Sequence, residues 1–453
     1  MMHQQVFVNR ILNMKKIRFI GFDMDHTLIR YHTQNFEELV YTIVVDKLIT
    51  TKHYPECIRR FTFDFNAAIR GLIIDSKNGN ILKLSRYGAI RQSYHGTQLI
   101  DYSEQQQIYR SIYVDLKDPN YMAIDTSFSI AFCVLYAQLI DLKDKKTAMM
   151  PSYAEIALDV LGCVDKAHSD GSIKNPISQN LSRYIVKDPQ VVEGLKRLRH
   201  YGKQLFILTN SDYAYTQLLL DYALTPFMDN AHWSSLFTYV ITLANKPRFF
   251  YDTMRFLSIN PQTACMSNAT STLSPGIYQG GNAQQFSDYL NLKGDDILYI
   301  GDHIYGDILR LKKDCNWRTA LVVEELEEEI QAQAKSAELE TQISQAMLEK
   351  QTLEETYLTL CTERIEYFAE NEEQTHIIQQ KINQLDERIA DKLQQQTYFN
   401  AQWGRIFRTG AEESYFAYQV DRFACIYMTK LTDLLSHSPL TYFRAKKRTL
   451  AHD

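Results

Sequence analysis

Four short apolar runs, Ile17–Phe22, Gln204–Leu208, Tyr239–Leu243 and Ile297–Ile300, share one shape: unbroken hydrophobicity that stops at a polar cluster. A strand with one wet face alternates apolar and polar residues. An unbroken run marks a strand covered on both faces, as in a parallel sheet. The polar stops are Asp23-Met24-Asp25, Thr209-Asn210-Ser211, Asn245-Lys246 and Gly301-Asp302. Val191–His200 and Tyr215–Tyr222 carry helical patterns between the runs, and Thr319–Val323 predicts a fifth strand. This alternation predicts an α/β fold with a doubly wound, Rossmann-like parallel sheet. Such sheets build their sites beyond the carboxyl ends of the strands, where the four polar clusters fall.

The first and second runs are separated by far more chain than a crossover needs. That stretch has apolar clusters of its own, Phe61–Phe65, Leu72–Ile74 and Phe128–Ile140, and turn signals at Lys77-Asn78-Gly79-Asn80 and Asp170-Gly171. It reads as a cap domain inserted over the site. From Glu324 to about Gln396 the chain turns Glu/Gln-rich and lacks Gly and Pro. There Ile378, Ile382, Leu385, Ile389 and Leu393 form an amphipathic helical stripe. A helical hairpin packed on the core and an oligomerising or partner-binding coil both account for it. The expected organisation is core at 15–30, cap at 31–178, core resumed at 179–323, the Glu/Gln-rich helical region at 324–403, and C-terminal helices and tail at 404–453.

Composition narrows the classes. Of 453 residues, 12% are aromatic, enough to fill large cores. With 49 Lys and Arg against 54 Asp and Glu, the net charge of −5 gives no general attraction to nucleic acid or to anionic membranes. The longest apolar run, Phe128–Ile140, falls short of the roughly 20 residues a membrane span needs. The N-terminal apolar stretch is cut by Asn9, Arg10, Asn13, Lys15 and Lys16, so no signal-peptide pattern is seen. Seven scattered cysteines without a C-x-x-C predict neither disulfides nor a zinc site, and a cytoplasmic protein is expected.

The chemistry starts at Asp23 and Asp25, two carboxylates at one strand end. One can attack phosphorus while the other gives a proton to the leaving alcohol and later takes one from water. Alone, such a pair can also be a turn or a helix cap. Three further clusters favour catalysis. Thr209 and Asn210 offer a hydroxyl and backbone N–H groups for phosphate oxygens. Lys246 offers a point positive charge. Asp302, after Gly301, can hold a hard cation. Asp23, the carbonyl of Asp25 and Asp302 would give Mg²⁺ three protein oxygens.

This ordered quartet resembles the haloacid dehalogenase superfamily of phosphohydrolases. The strings FDMDHTL, ILTNSDYAYT, ANKPRFF and DDILYIGDHIYGDIL are similar to the cytosolic purine 5′-nucleotidase family, whose members prefer IMP and GMP. The likeness extends over most of residues 15–435 and is weakest in the Glu/Gln-rich stretch. It implies a haloacid dehalogenase core with a large inserted cap, Mg²⁺ as cofactor, and hydrolysis of purine nucleoside monophosphates. Transfer of the phosphoryl group to a nucleoside is a further implied activity, and a homo-oligomer is expected.

By motif, Asp23 would be the nucleophile and Asp25 the acid/base. Thr209, Asn210, Ser211 and Lys246 would hold phosphate, and Asp307 would support the metal shell or Lys246. Phe128 stands at the purine-stacking position, which plain core packing would also explain. Asp165, His168 and Lys174 match base or ribose contacts. Leu161 departs from the family, standing where members have an arginine that reads the six-membered ring. Arg422 and Lys313 match effector-site positions, but Asp125 replaces an asparagine there, so ATP activation is not expected. The competing readings are a phosphatase of another small phosphate ester and a catalytically weak scaffold that uses its C-terminal helices.

Overall fold

A computed structural model describes residues 5–446 apart from 111, 127–128, 147–148, 264, 270–271, 369, 396–398 and 411. The chain divides into two compact units, residues 1–324 with 406–453 and residues 325–405.

In the first unit the five apolar runs become strands β1 (Phe19–Phe22), β2 (Gln204–Leu208), β3 (Tyr239–Thr242), β4 (Ile297–Gly301) and β5 (Arg318–Val322). They lie in the order β5-β4-β1-β2-β3, and every neighbouring pair is parallel. β1 therefore sits where the strand order reverses, the point at which open α/β sheets form their crevice. It starts two residues later than the apolar run does. Ile17 is held in a turn by its N–H on the Met14 carbonyl, and the buried Lys203 ammonium donates to the carbonyls of Met14 and Ile17 at 2.6 Å each.

The sheet extends further than those runs. Gly276–Gly280 continues it in parallel beside β3. Phe256–Ile259 and Met266–Asn268 add antiparallel strands at that edge. Ile426–Met428 and Phe7–Val8 close the other edge. One face of the sheet buries an aromatic cluster that includes Phe206, Phe250, Phe286, Tyr299 and Trp317.

The inserted region begins with helix α1 (Thr33–Lys52). A five-stranded antiparallel sheet follows, in the order Gln98–Leu99, Ile90–His95, Asn80–Leu84, Ile73–Asp75, Tyr121–Ala123. Helices α2 (Ile130–Asp144) and α3 (Tyr153–Ser169) pack with α1. α2 is buried nearly all round, which explains its unbroken apolar run. Its N-terminus is capped from α1: Glu37 Oε2 accepts from the Ala131 N–H at 2.6 Å. A capping box of Ser152 and Glu155 starts α3. After β2 the core adds α4 (Tyr213–Ala223), N-capped by Asp212.

The second unit is a helical hairpin of α5 (Leu326–Tyr367) and α6 (Glu372–Gln394). The apolar stripe explains the pairing, since Leu385 and Ile389 bury against Ala346, Ile343 and Leu353. Leu393, at the end of the stripe, stays exposed. Among the described residues, no helix is long and apolar enough to cross a membrane.

Two glycines predict opposite outcomes. A Cβ on Gly21, in β1, would lie 2.2 Å from the Phe206 ring in the aromatic core, whereas one on Gly162, in α3, would meet nothing within 4 Å. Gly21→Ala should cost about 1–3 kcal/mol or more through overpacking. Gly162→Ala should stabilise by roughly 0.5–1 kcal/mol through helix propensity. Denaturant unfolding followed by circular dichroism checks both signs.

Candidate active site

β1 does not end its pairing at Phe22. The Asp23 N–H still reaches the Ile300 carbonyl of β4 at 2.8 Å, which fixes the first carboxylate at the carboxyl end of the central strands. The chain then winds back, with the Leu28 N–H on the Asp23 carbonyl and the Ile29 N–H on that of Met24. This turn brings Asp25 back over the strand end.

Asp23 Oδ1 accepts from the Met24 N–H at 2.7 Å and lies 2.8 Å from the Lys246 ammonium. The same ammonium lies 2.7 Å from Asp307 Oδ1 and donates to the Tyr299 hydroxyl at 3.0 Å. Tyr299 in turn donates to the Leu208 carbonyl at the end of β2. Lys246 is itself held by Asn210, whose Oδ1 accepts from the Lys246 N–H at 2.6 Å and whose Nδ2 donates to its carbonyl at 3.0 Å. The Asn210 side-chain amide thus positions the lysine backbone. Burial alone would depress the Lys246 ammonium, but the Asp23 and Asp307 carboxylates outweigh it and hold the pKa above its ordinary value. Lys246 stays charged.

Asp302 and Asp307 both follow β4. Gly301 between strand and site is obligatory, because a Cβ there would lie 2.4 Å from Asp307 Oδ2. Asp307 Oδ2 accepts from the His303 N–H at 3.2 Å. The Asp302 carbonyl accepts from buried Arg70 at 3.0 Å, and its Oδ1 lies 3.5 Å from the Thr27 hydroxyl. Among the described residues, Asp302 Oδ2 is buried without a hydrogen-bond partner. Ligand oxygens of Asp23, Asp302 and Asp307 lie within 4.8 Å of one another. A cluster of three carboxylates, one of which carries such an oxygen, suits a hard divalent cation. Burial, then the Asp307 charge, pushes the Asp302 carboxyl up to about 7, although Arg70 opposes this. Asp23 is raised by burial, against Lys246.

Asp25 has different neighbours. Tyr31 donates to Oδ1 at 2.7 Å and Ser211 Oγ donates to Oδ2 at 2.9 Å. Burial raises its pKa and these two hydrogen bonds work against the rise. Thr209 is fully buried and its hydroxyl accepts from the Ser211 N–H at 3.0 Å.

Of the residues matched to base or ribose contacts, the structure brings two toward this centre. Lys174 pairs with Asp212 and sits 5.2 Å over the Tyr215 ring. The His168 ring lies 6.4 Å from Phe36, and its pKa is lowered to about 4 by burial and then by Lys174. Asp165 is on the exposed side of α3, and no hydrogen bond or ion pair among the described residues joins it to the other site residues. Phe128 lies outside the described residues.

Sequence reasoning passed over Tyr31, Arg70 and Tyr299. Tyr299 had a signal, a lone hydroxyl inside an otherwise aliphatic strand. The others are brought in by tertiary structure.

A family model, described as the 5′ nucleotidase family, matches residues 6–453. A 5′-nucleotidase domain-containing protein of Dictyostelium discoideum is 30% identical over 97% of this chain and 73% of its own length. The 5′-nucleotidase domain-containing protein 2 of Rattus norvegicus is 28% identical over 99% and 80%. Among solved structures, an archaeal β-phosphoglucomutase from Pyrococcus is similar at a TM-score of 0.30 and 10% identity, over 67% of this chain and 86% of its own. A predicted phosphoglycolate phosphatase from Haemophilus somnus is similar at 0.29 and 12%, over 68% and 86%.

The charge cluster predicts a stability pattern. A carboxyl raised from 3.8 to about 7 by folding costs stability that grows with pH across that interval and is complete above it. At pH 8 in chelator, Asp302→Asn should therefore melt above wild type, and the gap should close toward pH 4. Lys246→Met should instead lose about 3–5 kcal/mol, because it strips the counter-charge from buried carboxylates. Thermal melts across pH test both; an Asp302→Asn protein no more stable than wild type at pH 8 would contradict the charge assignment.

Proposed function

The chain belongs to the 5′ nucleotidase family, and on that premise we propose that it is a Mg²⁺-dependent hydrolase of purine nucleoside 5′-monophosphates working through an aspartyl-phosphate. The observation that carries the reading is the division of labour between two carboxylates at one strand end: Asp23 against the Lys246 ammonium, Asp25 against two hydroxyl donors.

In the first step an Asp23 oxygen attacks phosphorus, the bond from phosphorus to the ribose 5′-oxygen breaks, and Asp25 gives its proton to that oxygen. In the second, Asp25 takes a proton from water, the water oxygen attacks phosphorus, and the bond to Asp23 breaks. A nucleoside hydroxyl in place of water would make the second step a phosphotransfer. Lys246 offsets charge on Asp23 and on the phosphoryl oxygens. Ser211 offers a hydroxyl beside Asp25, while buried Thr209 shapes the loop that presents it. The side chains of Asp23 and Asp302 with the Asp25 carbonyl would hold Mg²⁺, and Asp307 is engaged by Lys246 and the His303 N–H. Bound there, Mg²⁺ would supply further positive charge toward the phosphoryl group.

The substrate class rests on family resemblance. By that resemblance His168 and Lys174 would contact the base or ribose, and Asp165 is the proposed acceptor for the N1–H of a 6-oxopurine and the 2-amino group of guanine. Adenine has no N1–H, so its bare N1 would face a carboxylate at a cost of about 1–3 kcal/mol. With Leu161 unable to donate to O6, GMP should do at least as well as IMP.

Asp23→Asn should abolish phosphate release while leaving the melting curve cooperative; a variant with near wild-type turnover would refute the covalent route. A kcat/KM panel of GMP, IMP, AMP, CMP and sugar phosphates, with and without Mg²⁺, tests the substrate class. GMP and IMP should exceed AMP by roughly one to two decades, and Asp165→Ala should shrink that ratio. AMP matching GMP in wild type would overturn the purine-edge account.

A further inference from the structure

Both oxygens of Asp25 already accept a hydrogen bond, and the lone pair that either donor occupies can exchange a proton only after that donor turns away. The two donors differ in how freely they can leave. Tyr31 is 2% exposed. Its ring is stacked on His26 at 4.6 Å and 14°, and Phe36 of α1 meets it edge-on at 5.3 Å. Its backbone forms a bridge with Ile185, and its hydroxyl is backed by that of Tyr215 at 3.4 Å. Moving Tyr31 would mean unpacking the junction between the core and α1.

Ser211 sits half-buried on the loop after β2, and turning one short side chain frees Oδ2. An arriving phosphate oxygen offers that hydroxyl an alternative acceptor.

We infer that Tyr31 is a positioning residue for the reaction: by clamping Oδ1 of Asp25 it sets the plane of the carboxyl group, so that Oδ2, vacated by Ser211, is the oxygen that exchanges the proton. The proton passes from Oδ2 to the leaving 5′-oxygen as the bond from phosphorus to that oxygen breaks, and returns to Oδ2 from water in the second step. Because Phe36 belongs to α1, the cap region takes part in setting this geometry. The inference rests on the acid/base role proposed for Asp25.

The test is Tyr31→Phe, which removes one oxygen and keeps the ring stack. Single-turnover alcohol release is compared for IMP, whose alkoxide needs a proton, and p-nitrophenyl phosphate, whose phenolate does not. The rate for IMP should fall about 10- to 100-fold, with KM within about threefold, while the aryl ester should change by less than about threefold. A merely structural tyrosine would slow both esters alike. Asp25→Asn is run on the same pair, and Tyr31→Phe added to it should cause no further loss. If Asp25→Asn separates the two esters but Tyr31→Phe slows both equally or neither, Tyr31 does not position the carboxyl group. If Asp25→Asn itself fails to separate them, the acid/base reading of Asp25 is wrong and this inference falls with it.

Discussion

A single ammonium group, Lys246 Nζ, touches Asp23 and Asp307 at once, and the site is assembled around that contact. Its side chain is 5% exposed, against 13% for Asp23 and 1% for Asp307, so water does little to screen the three charges. In such surroundings like charges repel strongly and only close, well-aligned opposite charges compensate. That requirement explains otherwise unrelated features. Tyr299 must place a hydroxyl among its aliphatic neighbours, Asn210 must hold the lysine backbone, and Gly301 must omit its Cβ so that Asp307 can approach. Residues from the ends of β1, β2, β3 and β4 are thereby tied into one cluster.

The arrangement separates two tasks. Asp23 stands next to fixed charge, which suits a group that must form and release a bond to phosphorus. Asp25 stands between a fixed hydroxyl, Tyr31, and one that can turn away, Ser211, which suits a group that moves protons. The separation follows from one turn of chain: after Asp23 the backbone folds back on itself, and Asp25 faces Tyr31 and Ser211 instead of Lys246.

The central sheet was legible because its strands are buried on both faces, so each shows as an apolar run with a polar stop. The edge strands were not. Phe256–Ile259 and Met266–Asn268 carry serine and exposed positions, and Gly276–Gly280 starts and ends in glycine; nothing in that pattern demands burial. Ile17 looked like strand because it is apolar, yet its backbone is claimed by a turn and by Lys203. At the site, residue types at strand ends could be read directly, but not which atom each would face. That the Asn210 side chain would hold the Lys246 backbone could not be read from its position after β2. Tyr31 carries no local pattern, because its meaning comes from a chain reversal and a stack on His26. Arg70 reaches the Asp302 carbonyl across 232 positions of sequence, a distance no motif encodes.

β1 is the central strand of the sheet and the first of its five core strands to be made, yet its neighbours are β2 and β4, which begin at Gln204 and Ile297. At about 5–20 residues per second, β2 follows β1 by roughly 10–40 s of synthesis. Through that interval a strand that ends up fully buried has no partner to pair with, while the sheet of the inserted region, whose strands all lie between Ile73 and Ala123, can close on contacts close in sequence. The long insertion between β1 and β2 therefore leaves the nascent protein carrying an unpaired, sticky segment for most of its early life, the condition under which strands seek partners on other chains.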